Sequence, residues 1–490
     1  MERPRGNIWL WGLVGCFLVC SACASFLVTG SALWQWWQER TARVTATQEG
    51  VLPSPWETTP APSPTTSIPT TATQAPETPT QAPPQETDET GLPERLRAIM
   101  ERIEQEVIEI RGLEPQHPVE RVFLSREELR QKLEEDFFKD YSQDEAQKDV
   151  LELWTWGLLP RDFDLFSFYR DLYSEMIAGF YDDEEGKMYV VAEGFPAHAR
   201  LTYAHEFTHA LQEQRWDLDQ NLNYNDETCK QDSEYCGALQ ALIEGDASVV
   251  ELEWFWTKAT PREQDAIRRY YRNLENPVFE QAPEFFKKEL LFRYDQGADF
   301  VQYLQARGGW EAVNQAYEQP PLSTEQILHP ERYPDDKPVK VTLPDIRQVL
   351  GDGWEPIVEY NALGEFWLWL VLRYGREDSW RLSRAKAERA AEGWGGDAYA
   401  LYYSADWDTT ALVLDLRWDT EEDLQEFREA FLEYAEARFG PYQRVNGWYR
   451  WEGTPHGTAL FWAQKDRALW LIAPDTVVEA LRDAMLYGRP

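Results

Sequence analysis

The chain is poor in basic residues and in histidine. Its 490 residues include 48 Lys and Arg against 86 Asp and Glu, which gives a formal net charge of −38, and they include only 6 His. Proteins that bind nucleic acid or anionic membrane surfaces through charge need clustered basic residues, so this balance argues against both partners. Hydrophobic residues make up 43% of the chain and aromatic residues 14%. This composition excludes a wholly disordered protein and allows two or three packed domains.

Residues 8–33 lack any charged side chain. At 1.5 Å per residue, about 20 helical residues cross a hydrocarbon core of about 30 Å. Tryptophans flank both ends of this run, and Arg3 and Arg5 precede it. The pattern predicts a single-pass cell-membrane protein with a cytoplasmic tail at 1–7, a transmembrane anchor at 8–33 and an extracytoplasmic remainder. A cleaved signal peptide and lipidation at Cys23 are the alternatives to a retained anchor.

Residues 45–92 contain no Lys or Arg and almost no large aliphatic side chains. Pro, Thr, Ser, Ala and Gln dominate this stretch, and such a composition cannot form a hydrophobic core. We therefore expect a disordered, semi-extended linker. Folded structure is expected from residue 93 onward, with one domain at 93–391 and a second domain at 392–490.

Two of the few histidines stand in the sequence His205-Glu206-Phe207-Thr208-His209. Helical residues four apart lie one above the other, so His205 and His209 present two imidazoles to one point. Glu206 is rotated roughly 100° from His205 and can reach a water beside a metal. The pattern predicts a catalytic zinc bound by both histidines, with Glu206 as general base. The alternative is a pair of helix histidines without a metal.

A catalytic zinc also needs a third protein ligand and an open coordination position. Residues 238–250 form a second helical pattern that carries Glu244 and Asp246. The H-E-F-T-H helix followed by an E-G-D-A helix resembles the gluzincin branch of the zincin metallopeptidases, and the resemblance implies that Glu244 is the third ligand. Two roles remain open for Asp246: it orients a histidine, or it replaces Glu244 as the third ligand. Ser248 stands where the thermolysin pattern has an aspartate.

Residues 122–344 more closely resemble uncharacterised bacterial membrane-anchored zincin-like proteins. Four stretches carry this resemblance: F-L-S-R-E-E-L at 123–129, A-G-F-Y-D at 178–182, the H-E-F-T-H helix, and S-T-E-Q-I-L-H-P at 323–330. By analogy with zincins, the strand expected at 187–191, just before the zinc helix, is a candidate sheet edge that pairs with an extended peptide or protein substrate.

Three residues are candidates for stabilising an oxyanion. His329 ends a short helical pattern and is expected on a loop-like segment, and Tyr294 and Tyr333 are the other two candidates. A purely structural role is the alternative for each of them.

Only two cysteines, Cys229 and Cys236, lie outside the apolar run at 8–33. In an oxidising compartment an even number of cysteines predicts a disulfide, here in the segment between the two metal-binding helices. A pair of buried thiols is the alternative.

The pattern changes from helical to β after about residue 392. Short β-runs are expected at 399–403, 411–418, 457–462 and 468–472, together with helices at 420–439 and 475–486 and a tight turn at Asn446-Gly447. These elements are typical of an α+β lobe. The whole chain is therefore expected to be α+β, with a mainly helical zincin-like metallopeptidase domain followed by a small α+β C-terminal domain.

Taken together, these patterns predict a membrane-anchored, extracytoplasmic zinc peptidase, and specifically an endopeptidase. The alternative is a zinc-containing cell-surface binding or assembly protein without hydrolytic activity. Glu206 favours the enzyme, because a structural zinc site has no use for a carboxylate beside the metal.

Overall fold

The computed structural model describes residues 94–125, 127–132, 141–176, 179–182, 185–191 and 194–488. A helical region is followed by an antiparallel sheet with its own helices, which confirms the predicted α+β class. The helices are α1 (Glu94–Arg111), α2 (Gln143–Trp156), α3 (Leu165–Met176), α4 (Ala197–Trp216), α5 (Leu218–Leu222), α6 (Asp226–Cys229), α7 (Ser233–Thr257), α8 (Pro261–Arg272), α9 (Pro277–Gln281), α10 (Glu284–Glu318), α11 (Thr324–Leu328), α12 (Ile346–Leu350), α13 (Gly364–Arg373), α14 (Arg384–Ala391), α15 (Glu421–Phe439) and α16 (Val478–Tyr487). The strands are β1 (Glu120–Leu124), β2 (Gly179–Asp182), β3 (Lys187–Val191), β4 (Glu355–Asn361), β5 (Trp394–Ser404), β6 (Thr409–Trp418), β7 (Gln443–Val445), β8 (Trp448–Thr454), β9 (Gly457–Gln464) and β10 (Arg467–Ala473).

The predicted membrane localisation requires a correction. Among the described residues, no helix combines the length and the apolar composition that a membrane span requires. The long helix α7, for example, carries Glu244 and Asp246 near its middle, and charged side chains are costly inside a bilayer. The predicted tail at 1–7, anchor at 8–33 and linker at 45–92 lie outside the described residues. The single-pass prediction therefore has no support among the described residues, none of whose helices can serve as its span.

The first sheet has three strands in the order β1-β3-β2. β1 pairs parallel to β3, and β2 pairs antiparallel to β3. β3 is therefore the central strand, which corrects the expectation that residues 187–191 form a sheet edge for substrate. The reason is long-range pairing, because β1 arrives from a much earlier part of the chain and covers that side of β3. The edge strand β2 packs against α4.

Helix α7 packs between α4 and α10 and makes close contact with both. Its contact with α10 depends on two glycines, Gly245 on α7 and Gly297 on α10. A Cβ atom on Gly297 would lie 2.1 Å from the carbonyl oxygen of Ala241, and one on Gly245 would lie 2.2 Å from the carbonyl carbon of Gly297. These neighbours are backbone atoms that cannot rotate away. The two glycines thus allow a close helix crossing directly beside Glu244.

The second sheet has seven strands in the order β4-β5-β6-β10-β9-β8-β7, and all its pairs are antiparallel. Its central strands are buried on both faces. Along β5, Tyr399 and Leu401 belong to the main hydrophobic core, whereas Ala400 and Tyr402 belong to a second cluster that includes residues of α12 and α16. This alternation is the two-residue period of a strand, and it places helices on both faces of the sheet.

The main hydrophobic core continues from the helical region into the sheet. Helix α2 makes part of this junction: the hydroxyl of Tyr399 donates to Oε1 of Glu152 at 2.7 Å, and the ring of Trp156 lies 5.3 Å from that of Tyr399. Strand β4 begins at Glu355, before the expected domain boundary at 392, and pairs with β5. The sheet therefore includes residues from both expected domains, and the division at 392 stays a prediction.

The predicted disulfide between Cys229 and Cys236 is confirmed. Both cysteines are buried. The bond ties the end of α6 to the first turn of α7, so it anchors the start of the helix that carries Glu244.

Candidate metal centre

Helix α4 carries the H-E-x-x-H sequence in a deeply buried position. It begins after Pro196, whose φ of −66° suits a helix start, and it ends where Asp217 takes a left-handed conformation. The small residues Ala204 and Ala210 are fully buried, which lets neighbouring elements approach the helix closely. Because α4 is enclosed on most sides, its two histidines face the protein interior.

The three candidate ligands, His205, His209 and Glu244, meet at one point. Their ligand atoms lie within 4.8 Å of one another. Oε2 of Glu244 is 3.2 Å from Nε2 of His205 and 3.4 Å from Nε2 of His209. Zinc binds histidine nitrogen at about 2.0–2.1 Å and carboxylate oxygen at about 2.0–2.2 Å, so neighbouring ligand atoms of a tetrahedral site are roughly 3.4 Å apart. The observed separations fit two edges of such a tetrahedron.

The second ring nitrogen of each histidine has a fixed partner. Nδ1 of His205 donates to Oε2 of Glu251 at 3.2 Å, and Nδ1 of His209 donates to Oε1 of Gln212 at 2.8 Å. Gln212 is itself held by α7, because its Nε2 donates to the carbonyl oxygen of Ile243 at 3.0 Å. These oxygen acceptors favour a proton on each Nδ1, so a metal that displaces the Nε2 protons would meet two lone pairs directed at the shared point.

Glu251 and Gln212 are not among the residues predicted from the sequence. Glu251 lies seven residues after Glu244, which is about two helical turns and the same face of α7. Gln212 lies three residues after His209 on the face of α4 that meets α7. Helical spacing from the predicted ligands was therefore the signal that could have found both residues.

Asp246, the alternative to Glu244, does not join the ligands. Its Oδ1 accepts from Nε of Arg111 at 2.7 Å, and its Oδ2 accepts from the hydroxyl of Tyr317 at 3.0 Å. Arg111 and Asp246 are both fully buried, and the guanidinium also lies 4.5 Å above the ring of Trp310. Asp246 thus forms a buried ion pair with Arg111 that joins α7 to α1.

Glu206 lies beside the three ligands without being one of them. Its Oε2 accepts from the backbone N–H of Tyr181 on β2 at 3.0 Å. Its Oε1 is buried and has no hydrogen-bond partner in the part of the chain that the structure describes. Burial raises the pKa of Glu206 to about 7, although His209 and His205 oppose this effect. A buried carboxylate oxygen without a donor is unusual and fits a position that faces a ligand or a water.

Burial and charge act in opposite directions on the ligands. Burial would raise the pKa of Glu244, but His209 and His205 hold it at about 2. Burial would lower the pKa of His205, but the carboxylates of Glu244 and Glu251 raise it to about 10. Without a metal, these groups therefore stabilise one another as an acid–base cluster. A divalent cation can replace the histidine protons and keep the charge balanced.

The structure separates the three oxyanion candidates. The ring of Tyr294 lies 6.4 Å from the ring of His205 and is buried. Nε2 of His329 is 3.0 Å from Oε1 of Glu365, and His329 is not in the group of converging ligand atoms. The hydroxyl of Tyr333 donates a hydrogen bond to the backbone carbonyl of Gln319. Tyr294 is therefore the candidate that lies beside the ligands, and a catalytic role for His329 stays a prediction.

Comparison with known proteins adds information on the C-terminal part of the chain. Residues 355–484 match a family model described as a domain of unknown function (DUF8575). This range contains the whole seven-stranded sheet and most of α16, and it excludes the three ligands. No curated protein and no solved structure matches the chain. The function of the candidate metal centre must therefore be inferred from its own geometry.

Proposed function

We propose that this chain is a zinc-dependent peptidase in which His205, His209 and Glu244 hold the metal and Glu206 acts as general base. One observation carries the proposal. Three ligand atoms with the spacing of a tetrahedral zinc site stand beside a buried carboxylate that is not a ligand. The resemblance of the two helices to gluzincins supports the same class of reaction.

The set of ligand atoms fits a catalytic zinc better than a structural one. Structural zinc sites are closed by four protein ligands, often cysteines, whereas catalytic sites use three protein ligands and keep one position open. The two cysteines in the described part of the chain, Cys229 and Cys236, are bonded to each other and do not enter the site. Two imidazoles and one carboxylate thus leave a fourth position for water or substrate.

The proposed hydrolysis moves one proton through Glu206. Bound zinc would supply a Lewis acid that polarises the scissile carbonyl and makes water more acidic. Oε2 of Glu206 is fixed by the N–H of Tyr181, so Oε1 takes the proton of the attacking water. As the C–N bond breaks, Oε1 passes that proton to the leaving amine. Tyr294, whose ring lies beside His205, is the oxyanion donor that this geometry favours.

A zinc-containing binding or assembly protein without hydrolytic activity is the second candidate. The three ligands alone would serve it equally well. The unpartnered Oε1 of Glu206 favours the peptidase, because a binding protein has no need for a buried base next to the metal.

The proposal is tested with the purified full-length chain and a broad peptide library. We expect one zinc per chain by elemental analysis and cleavage of internal peptide bonds by mass spectrometry. A chelator should remove both the zinc and the cleavage, and added zinc should restore them. A fully zinc-loaded chain that cleaves no peptide would leave only the binding protein, and a chain without stoichiometric zinc would remove both candidates.

A further inference from the structure

Gln240 is a buried polar residue of α7 that takes no part in the proposed zinc centre. Its neighbours on the helix are apolar and fully buried: Ala238, Leu239, Ala241 and Leu242. Gln240 itself is 6% exposed, and no described residue accepts a hydrogen bond from its buried Nε2. A buried amide nitrogen without an acceptor has lost water and gained no hydrogen bond from the fold. Such a group indicates a partner that is not part of the chain.

Gln240 and the candidate ligand Glu244 lie on the same face of α7. They are four residues apart, so their side chains lie one above the other with Cβ atoms about 5–6 Å apart. Helical side chains lean toward the N-terminal end of their helix, so the carboxylate of Glu244 lies over the turn that carries Gln240. The amide of Gln240 is therefore next to the candidate metal centre along α7.

The direction from the metal centre to Gln240 follows from how α4 and α7 pack. Nδ1 of His205 lies 3.2 Å from Oε2 of Glu251, whereas Nε2 of Gln212 donates to the carbonyl oxygen of Ile243. A later residue of α4 thus contacts an earlier residue of α7, and the two helices are antiparallel. Gln240 precedes Ile243 and lies further along the same direction, toward the C-terminal end of α4.

The candidate metal centre is exposed on the side toward Gln240. The side chain of His205 is 0% exposed, whereas that of His209 is 16% exposed and that of Glu244 is 8% exposed. Exposure therefore increases from His205 to His209, which is the direction along α4 that leads toward Gln240. A peptide that reaches the metal from this side passes the amide of Gln240.

We propose that Gln240 binds the main chain of the peptide substrate, an inference that rests on the peptidase function proposed above. Its Nε2 donates to the carbonyl oxygen of a substrate residue close to the scissile bond. An extended chain advances about 3.3–3.6 Å per residue, so the spacing between Gln240 and Glu244 corresponds to one or two substrate residues. This contact holds the scissile carbonyl at the metal and does not select a side chain. The substrate class is an extended peptide with varied side chains at that position.

Gln240→Met tests the proposal in the zinc-loaded, full-length chain with a peptide that the wild type cleaves. Methionine keeps the length and helix propensity of glutamine but has no N–H to donate. We expect KM to rise ~3–10-fold, with kcat within ~2-fold, because the lost hydrogen bond contributes to substrate binding in ground and transition states alike. The Tm should stay the same or rise, since the variant no longer buries an unpaired donor. A glutamine that serves only the fold would instead lower the Tm and leave KM unchanged.

A series of thioamide peptides identifies the substrate carbonyl that Gln240 binds. In each peptide sulfur, a weaker acceptor, replaces one carbonyl oxygen. At the bound position we expect this change to raise KM ~3-fold or more for the wild type and to have no effect on Gln240→Met. Gln305→Met on α10 is the matched control, because the Nε2 of Gln305 already donates to Glu253 at 2.8 Å. Its KM should equal that of the wild type.

Two results would overturn the role of Gln240 while leaving the peptidase in place. The first is an unchanged KM in folded, zinc-loaded Gln240→Met, and the second is a thioamide series with equal effects on the wild type and the variant. Should Gln240→Met fail to fold, Gln240→Leu provides the same comparison, and a loss of stability in both would show that the amide serves the fold. A wild type that cleaves no peptide would instead remove the proposed function, and the role of Gln240 with it.

Discussion

At the scale of single residues, two acids on one helix have different roles. Glu244 and Asp246 are two positions apart on α7, so their side chains point about 160° away from each other around the helix axis. Glu244 converges with the two histidines, whereas Asp246 forms a fully buried ion pair with Arg111. The local sequence carries both acids without distinguishing them. Their partners on other helices decide which one is the ligand.

This difference predicts opposite results for two variants. Glu244→Ala should lose stoichiometric zinc, because the site keeps only two ligands. Asp246→Asn should keep zinc but lower the free energy of unfolding by about 3–5 kcal/mol, since Arg111 would be left buried without its counter-charge. Elemental analysis and denaturant unfolding measure the two effects. Full zinc in Glu244→Ala together with zinc loss in a folded Asp246→Asn would make Asp246 the ligand.

The hydrogen bond behind His205 gives a second prediction at this scale. Glu251→Gln keeps an acceptor for Nδ1 but removes the negative charge that strengthens the imidazole as a ligand. We expect zinc affinity to fall by about 10–100-fold with one zinc still bound at saturation. Competition with a chromogenic chelator measures the affinity. Glu253→Gln is the matched control on the same helix, because that carboxylate accepts from Gln305 on α10 and lies about 160° around α7 from Glu251. Equal affinities for both variants would contradict a supporting role for Glu251.

At the scale of elements, the crossing of α7 and α10 sets the position of Glu244. Gly297→Ala would place a methyl group 2.1 Å from the carbonyl oxygen of Ala241. We expect the two helices to separate, at a cost on the order of 1–3 kcal/mol, and zinc binding to weaken with them. Thermal melting and zinc titration measure both effects.

Gly237→Ala on α7, the other helix of this crossing, is the control for this experiment. Its new Cβ would meet only Cγ2 of Thr324 at an ordinary 3.4 Å. Alanine is the better helix former, so this variant should be unchanged or more stable by up to about 1 kcal/mol. If Gly297→Ala and Gly237→Ala melt at the same temperature, the close crossing does not constrain the site.

Elements that depend on neighbours in sequence were predictable, and those that depend on distant pairing were not. The helix with the two histidines, the antiparallel pair β2 and β3, and the turn at Asn446-Gly447 between β7 and β8 follow from local patterns. Both residues of that turn have positive φ, 52° and 88°, as an Asn-Gly hairpin turn requires. The central position of β3 depends on β1, and the partner strand β4 was not recognised before residue 392. Periodicity in one segment carries no information about which remote segment pairs with it.

At the scale of the whole molecule, Glu152 links the helical region to the sheet. This buried carboxylate on α2 accepts from the hydroxyl of Tyr399 on β5. Burial raises the pKa of Glu152 from 4.5 to about 7, although the bonds from Tyr399 and Trp156 oppose this effect. The folded chain therefore binds this proton more tightly than the unfolded chain. The stabilisation that comes from the proton bound to Glu152 is fully present below about pH 4.5. It is lost as the pH rises through about 7.

Glu152→Gln should remove this loss while keeping an acceptor for Tyr399. We expect the variant to gain stability relative to the wild type as the pH rises, by up to about 3 kcal/mol once Glu152 is ionised, and the gain to level off above about pH 7. Denaturant unfolding between pH 5 and 8 measures the free energy of unfolding of the variant and of the wild type. The contributions of other titrating groups cancel in the difference between the two proteins. Glu429→Gln, an exposed acid on α15, should show no such trend. A pH-independent difference for Glu152→Gln would show that Glu152 does not titrate in this range.

The architecture and the site were predictable to different degrees. The α+β class followed from the change of hydrophobic period along the chain. His205 and His209 followed from four-residue spacing on one helix, whereas Glu244 required a family resemblance, because a ligand from another helix leaves no local pattern. Glu251 depends on how α7 packs against α4, and that packing is a property of the folded molecule.

The central claim is that Glu206 is the base of a zinc peptidase, and the rate of peptide hydrolysis by Glu206→Gln tests it most directly. The amide keeps the shape of the side chain and can still accept from Tyr181, but it cannot take a proton from water. We predict a variant with one zinc per chain, the wild-type fold and a hydrolysis rate lower by ~10²-fold or more. Glu213→Gln on the same helix should cleave like the wild type. Hydrolysis by zinc-loaded Glu206→Gln at the wild-type rate would contradict the account.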